Sequence, residues 1–254
     1  MKQVSIWLAA GAAFLTFWAG FALHAALTPN APAVALEQSP KPLAAVSAQP
    51  TAQAPATSPE ATAKTLDFGH LLGVQIAYVE SKIGPAREIV NSSRNYRIGT
   101  CDFSLKDEKG AVASITVPNT NACAPERDVV LKSVGLPTGK IKFSTFIKVK
   151  GPTSFQSDCL SLCGNAADPW LYLSGGGSHS ENWIEVRMGV AQVSGAALEA
   201  SDKIQTSMRA EGPDYVSDTK FNCDRKYDQV AEKAMAPLIV ESIEVGYDLS
   251  IKCN

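Results

Sequence analysis

Residues 101–117 read CDFSLKDEKGAVASITV, and this stretch decides the fold class of the chain. Apolar and polar residues alternate in two runs, and the polar segment 107–110 between the runs ends in a glycine. A period of two is typical of strands with one buried face, so the stretch predicts a β-hairpin. The apolar residues of the first run are Cys101, Phe103 and Leu105, and those of the second are Ala113, Ile115 and Val117.

A helix is predicted before the hairpin. Leu72, Ile76, Val79 and Ile83 recur at steps of four and three residues, and the pattern stops at Gly84 and Pro85. Glycine followed by proline is a helix stop signal, since glycine adopts the conformation that ends a helix and proline cannot continue one.

A similar sequence begins near Phe143, where an apolar pattern stops at Gly151 and Pro152, and strand patterns follow in residues 159–163, 170–173 and 183–190. Two helices are predicted over residues 196–211 and 225–235, the second with Asp224 as its cap. A last strand is predicted from the alternation of residues 243–253. The prediction is an α+β fold, with helices packed on an antiparallel sheet in two helix-hairpin units. The likeness of the two units has two alternative explanations, a duplication or chance, and chance is favoured.

The order of helix, Gly-Pro stop and cysteine-bearing hairpin over residues 71–118, with a recurrence over 143–190, resembles the β-lactamase-inhibitory-protein-like folds and the related small outer-membrane assembly lipoproteins. The resemblance implies a layered α+β fold whose sheet face binds another protein without catalysis. The chain departs from the lipoproteins because no cysteine precedes Cys101 to carry a lipid.

All six cysteines lie after residue 100, and an even number behind an export signal is typical of a disulfide framework. Six cysteines allow 15 pairings. We favour pairing neighbours in sequence, which closes the shortest loops. A metal site is disfavoured, since no cysteine or histidine spacing matches a zinc quartet, and no cofactor is expected. The expected disulfides join Cys101 to Cys123, Cys159 to Cys163, and Cys223 to Cys253.

Three segments are expected. Residues 1–27 include an uncharged apolar run, Val4 to Leu27, long enough to cross a bilayer as a helix. Residues 28–64 hold seven of the fifteen prolines and no aromatic residue, which predicts a disordered linker. Residues 65–254 are the globular domain. Lys2 favours a cytoplasmic N-terminus, so we expect a single-pass inner-membrane protein with its domain in the periplasm; signal cleavage, giving a soluble periplasmic or secreted protein, is the alternative.

The charge balance excludes nucleic acid as a partner. Three lysines and two glutamates precede residue 65, which leaves 20 basic and 23 acidic residues of the chain's 23 and 25 for the domain. A domain near net charge −3 lacks the excess of basic residues that binds nucleic-acid phosphates or anionic lipids. We therefore expect the protein to contact the membrane only through its N-terminal helix.

No catalytic set is evident in the sequence. The domain has only His70 and His179 as histidines, no Gly-x-Ser-x-Gly motif, and acidic pairs such as Asp107 and Glu108 that fall in turns. The glycines of residues 175–177 lack the Lys-Ser/Thr ending of a phosphate-binding loop. A non-enzymatic role is therefore favoured.

The hairpin of residues 170–190 carries the candidate binding residues. Aliphatic residues alternate there with aromatic and charged ones, so a buried aliphatic face would leave the other set exposed. Mixed aromatic and arginine surfaces are typical of binding hot spots. The alternative is that a helix covers this face and the rings belong to the core. The predicted partner-binding residues are Trp170, Tyr172 and Trp183, with Arg187 on the same face and His179 in the loop of residues 174–182.

The sequence therefore predicts a membrane-tethered, non-catalytic envelope domain that binds a protein or a cell-wall component. Two alternatives stay open: an envelope hydrolase that acts through carboxylates, and an inhibitor of a secreted hydrolase.

Overall fold

The computed structural model describes residues 66–164, 168–176, 183–193, 195–251 and 253. The predicted membrane segment, the predicted linker and His179 lie outside these residues. Within the described ranges, no helix combines the length and the apolar character needed to cross a membrane.

The described residues form an α+β fold of six α-helices and eight strands, joined by turns and short 3-10 segments. The prediction of helices on an antiparallel sheet is confirmed. The helices are α1 Ile76–Ile83, α2 Ala124–Ser133, α3 Phe143–Lys150, α4 Gly195–Ser207, α5 Pro213–Ser217 and α6 Asp228–Met235. The strands are β1 Glu88–Val90, β2 Ser93–Ile98, β3 Cys101–Glu108, β4 Ala111–Pro118, β5 Ser154–Ser157, β6 Trp170–Gly176, β7 Glu185–Ala191 and β8 Ser242–Gly246.

The predicted hairpin of residues 101–117 is β3 and β4, and its alternating apolar residues are buried. Leu105 lies opposite Ile115 in the register of this antiparallel pair. Together with β1 and β2, the hairpin forms the first half of the sheet. The sequence patterns did not indicate β1, whose three residues are all exposed, because a strand without a buried face shows no alternation.

All eight strands belong to one antiparallel sheet, in the order β1-β2-β3-β4-β8-β7-β6-β5. The last strand, β8, lies in the middle and joins the halves, pairing with β4 on one side and with β7 on the other. Each half consists of a helix followed by antiparallel strands, as the helix-hairpin pattern predicts.

Both helices that open a half end at the predicted glycine. Gly84 after α1 has φ of 88°, and Gly151 after α3 has φ of 76°, a region that residues with a side chain rarely adopt. Each glycine N–H donates to a carbonyl four residues earlier, at Glu80 and at Ile147. The positive φ then turns the chain out of the helix toward the strands that follow.

All three expected disulfides are present, and among the described cysteines none is free. The Cys101–Cys123 bridge ties the start of β3 to the turn before α2. The Cys159–Cys163 bridge closes a short loop after β5, so the strand predicted over residues 159–163 is wrong. The Cys223–Cys253 bridge joins the segment before α6 to the last described residue. Each bridge restricts the unfolded chain and so stabilises the domain.

The last strand is shorter than its sequence pattern predicts. β8 ends at Gly246, and Asp248 adopts the left-handed conformation with φ of 52°, which a strand cannot accommodate. Tyr247 and Ile251 are exposed, although Leu249 is buried. The predicted strand is therefore wrong beyond Gly246, since the described residues 247–251 and 253 belong to no strand.

The outer edge of β5 is covered by side chains of the segment that leads into α6 and of α6 itself. Asn222 Oδ1 accepts the Ser157 N–H at 2.9 Å, Asp228 Oδ1 accepts the Phe155 N–H at 2.8 Å, and Glu232 Oε1 accepts the Thr153 N–H at 2.8 Å. These acceptors occupy the donors to which another strand would bind, so this edge is closed to strand addition.

Candidate functional site

One face of the sheet carries the core, and the opposite face is polar. Leu105, Ile115, Ile243, Met188 and Leu173, on five successive strands, are each at most 2% exposed. Side chains alternate between the faces of a strand, so the residues next to these lie on the other face. That open face is built mainly from small hydroxyl residues and a few charged ones: Ser93 on β2, Ser104 and Lys106 on β3, Ser114 and Thr116 on β4, Ser242 and Glu244 on β8, and Arg187 on β7.

A trough runs along this open face. It consists of two adjoining cavities of about 470 and 420 Å³ that share Ser104 and Thr116 as lining residues. The β1–β2 turn, Val90 to Ser93, borders the second cavity on one side, and Trp170 and Tyr172 of β6 border it on the other. In the sheet order, β6 is the fifth strand from β2, which corresponds to about 24 Å across a flat sheet at ~4.8 Å per strand. Residues of both strands line the second cavity, so the sheet must curve toward this face.

Three side chains form a stack along the second cavity. The rings of Trp170 and Tyr172 are nearly parallel, with an interplanar angle of 13° and 6.2 Å between centroids. The Arg187 guanidinium carbon lies 4.8 Å from the centroid of the Tyr172 ring, within the range of a cation–π contact. The stack of Trp170, Tyr172 and Arg187 is therefore a preorganised surface of two aromatic rings and one guanidinium.

Gly189 of β7 makes room for the rings. It pairs with Tyr172 across the strands, and a Cβ at its position would lie 2.9 Å from Tyr172 Cε1 and 3.1 Å from Trp170 Cε3. These distances are shorter than a van der Waals contact, so any side chain at residue 189 would displace the stack. The glycine lets both rings pack directly on the β7 backbone.

Glu244 of the central strand holds the other end of the stack. Its Oε2 accepts from Arg187 Nε at 2.9 Å and also from Nη2, and its Oε1 accepts from Ser114 Oγ at 2.7 Å. The Arg187 and Glu244 side chains are 25% and 13% exposed, so water screens this ion pair only partly. Arg187 is thereby fixed in place and its charge is compensated.

Tyr172 also has a polar anchor. Its hydroxyl donates to Asp158 Oδ2 at 3.2 Å. Burial, and secondarily the Asp158 carboxylate, raise the pKa of Tyr172 above its ordinary value, since both disfavour a phenolate. The hydroxyl is therefore protonated at neutral pH and acts as a hydrogen-bond donor.

The structure brings together three of the five residues predicted to bind a partner, Trp170, Tyr172 and Arg187. Trp183 lies before β7 with φ of 58°; it is 67% exposed and does not line the trough. His179 is outside the described residues, and of the loop predicted over 174–182, Ser174 to Gly176 belong to β6. Roles for Trp183 and His179 stay predictions.

The floor of the trough and Glu244 were missed at the level of sequence, although a signal for them existed. If Ile115 and Val117 face the core, Ser114 and Thr116 must face away from it, and the same holds for Glu244 beside Ile243. The alternation could therefore have identified the face. What it could not supply is the pairing of β8 with both β4 and β7, which places Glu244 between Ser114 and Arg187.

The carboxylates of the trough are held by donors. Asp102 pairs with Arg97 and Arg87, Glu88 accepts from Asn95, and Glu244 is bound as described above. The arginines keep the pKa of Asp102 below its ordinary value, so this carboxylate stays ionised and is unsuited to donate a proton. Across the described residues, no group of three or more histidine, cysteine or acidic side chains is arranged to hold a metal ion.

No protein-family model, curated protein or solved structure matches the chain.

Proposed function

We propose that this protein is a membrane-tethered envelope domain that binds a protein or cell-wall component through the open face of its sheet, without catalysis. The observation that carries the proposal is the trough with its stack of Trp170, Tyr172 and Arg187. A concave surface with ordered aromatic rings and few, fixed charges is suited to binding, because little side-chain entropy is lost on contact.

The packing around the stack supports a role in recognition. The Trp170 and Tyr172 side chains are half-buried and line an open trough, so part of each ring is accessible to a ligand. Gly189 and Glu244 hold the stack from two sides, and both lie on strands that also build the core. A binding surface on rigid strands keeps its shape without a ligand.

The alternative of a carboxylate-dependent hydrolase has less support. A general acid needs a carboxyl group with a raised pKa, and the pKa of Asp102 in the trough is lowered by its arginines. Asp228 has a raised pKa because of its burial, but it accepts the Phe155 N–H at the edge of the sheet and does not line the trough.

The proposed location is the inner membrane with the domain in the periplasm. Three disulfides support an oxidising compartment, since such bridges are rare where thiols are kept reduced. The test is mass spectrometry of protein isolated from its native host. An N-terminus at residue 1 or 2 with all cysteines oxidised is expected; free thiols on all six cysteines would contradict this location, and a new N-terminus after residue 20 would indicate a cleaved signal.

The binding role is tested by capture of envelope components with the full-length protein as bait. The variant Trp170→Ala/Tyr172→Ala removes the rings, and Tyr78→Ala, which removes an exposed ring of α1 outside the trough, is the matched control. We expect the double variant to lose the captured component and the control to keep it. Equal capture by both variants would contradict the site, and Trp183→Ala measured beside them decides whether Trp183 extends it.

A further inference from the structure

The chemistry of the trough identifies a class of ligand, provided that the open face is a binding surface as proposed above. We propose that the trough binds a neutral polysaccharide chain. Four properties of the trough carry this inference: its hydroxyl floor, its aromatic stack, its charge balance and its elongated shape.

The floor is unusually rich in hydroxyl groups. Ser93, Ser104, Ser114, Thr116 and Ser242 come from four strands and line the trough side by side. Ser114 is buried and its hydroxyl donates to Glu244. A free serine or threonine hydroxyl donates one hydrogen bond and accepts two, so the other four match the hydroxyls of a sugar, which also donate and accept. Serine side chains are short, so they leave depth above the sheet for a ligand to enter.

The aromatic stack supplies what a sugar ring needs in addition. A pyranose presents a face of C–H groups that packs on an aromatic ring, while its hydroxyls point outward along the edge. Trp170 and Tyr172 line the trough beside the hydroxyl floor, and the bond from the Tyr172 hydroxyl to Asp158 holds the ring in place. Apolar contact and hydrogen bonds to one ring are therefore available at the same place.

The charges of the trough balance. Its lining holds three cations, Arg87, Lys106 and Arg187, and three anions, Glu88, Asp102 and Glu244. Four of these charges form the ion pairs Arg87–Asp102 and Arg187–Glu244. A surface without net charge gives no electrostatic preference for phosphate or carboxylate polymers, which favours an uncharged ligand.

A protein partner is the competing occupant, and the lining argues against it. The centre of a protein interface is typically apolar, with aliphatic and aromatic anchors. The aliphatic lining residues of the trough are Val90 and Pro118, and Ser104 and Thr116 are the residues that its two cavities share. Tyr96 and Phe103 also line it, but they are buried in the core and offer little surface to a partner. The two adjoining cavities together extend from Pro118 and Arg87 to Trp170, so the trough is longer than either cavity alone and suits a chain molecule.

The test is isothermal titration calorimetry of the full-length protein in a detergent without a sugar headgroup. The probes are chitohexaose and cellohexaose, which are neutral, and polygalacturonate, which is acidic. We expect at least one neutral probe to bind with little dependence on salt. Tyr172→Ala should weaken binding about tenfold or more, and Thr116→Val should weaken it severalfold, since each removes a contact and keeps the strand.

The matched controls are Tyr78→Ala and Thr120→Val, which change exposed residues outside the trough. They should bind as the unchanged protein does, and near-ultraviolet circular dichroism verifies that every variant is folded. The inference is overturned if neither neutral probe binds, if only the acidic probe binds, or if Tyr172→Ala and Thr116→Val both bind normally.

Capture of envelope components separates this inference from the proposed function. If no oligosaccharide binds but Trp170→Ala/Tyr172→Ala loses a captured envelope protein, the glycan inference is overturned and the binding role stands. If no probe binds and capture does not depend on these rings, both are overturned.

Discussion

The two faces of the sheet differ in chemistry although the same strands build them. On β6, Leu171 and Leu173 are fully buried against the core, while Trp170 and Tyr172, one residue away, line the trough. On β4 and β8 the same alternation puts aliphatic residues on one side and hydroxyl or carboxylate groups on the other. The core face holds the domain together by burial, and the open face is ordered by specific contacts. Substitutions on the two faces should therefore have different consequences.

The largest expected effect on stability comes from the core face. Leu173→Ala removes a fully buried side chain and should lower the free energy of unfolding by about 2 to 5 kcal/mol, because it loses burial and leaves a cavity. Tyr172→Ala, its neighbour on β6, should cost less stability but weaken ligand binding about tenfold or more. Urea denaturation of both variants checks this; a larger loss of stability for Tyr172→Ala would contradict the division between the faces.

The Arg187–Glu244 pair should give the next largest effect. Arg187→Met leaves Glu244, which is only 13% exposed, without its cation and should cost about 1 to 3 kcal/mol, whereas Arg187→Met/Glu244→Met should recover part of that loss. Thermal and urea unfolding of the single and double variants form the required cycle. Strictly additive losses would mean that the pair does not couple β7 to β8.

Gly189→Ala tests whether the aromatic stack on the open face depends on close packing against the β7 backbone. The added methyl would lie 2.9 Å from Tyr172, so we expect about 1 to 3 kcal/mol of destabilisation and weaker ligand binding from the displaced rings. In the background of Tyr172→Ala the same change should cost clearly less, because the nearest clash is absent. An equal cost in both backgrounds, measured by urea denaturation, would show that the stack does not depend on this contact.

The smallest effect is expected for Ser174→Ala. Ser174 is buried and its Oγ has no hydrogen-bond partner, so removing it should leave stability unchanged or raise it by up to about 1 kcal/mol. Ser114→Ala is the matched control, since Ser114 Oγ donates to Glu244 and its loss should cost about 1 kcal/mol. Thermal unfolding of the two variants compares them directly; a greater loss for Ser174→Ala would reveal a contact that Oγ makes only in solution.

Much of the fold could be predicted because its signals are local. The alternation in β3 and β4, the glycine stops at Gly84 and Gly151, and the pairing of neighbouring cysteines all depend on residues close in sequence. The position of β8 between β4 and β7 could not be predicted, since it depends on pairing across more than 50 residues. The alternation of apolar residues beyond Gly246 led to the wrong prediction of a longer strand, because periodicity carries no information about the turn at Asp248.

The candidate site was predictable to the same extent. Trp170, Tyr172 and Arg187 follow from alternation within one hairpin, and the structure brings them into one stack. Their partners Glu244 and Ser114 come from distant strands, so only the sheet order reveals them. The need for glycine at residue 189 likewise becomes evident only when the rings are seen against the β7 backbone.

Site-specific photocrosslinking in the native envelope tests the central claim, that the open face is the binding surface, most directly. A benzophenone amino acid is placed at Ser92, an exposed residue on the rim of the trough, or at Tyr78, exposed on α1. We expect illumination to attach an envelope component to the full-length protein from position 92 and not from position 78. Crosslinks from position 78 alone, or none from position 92, would contradict the account.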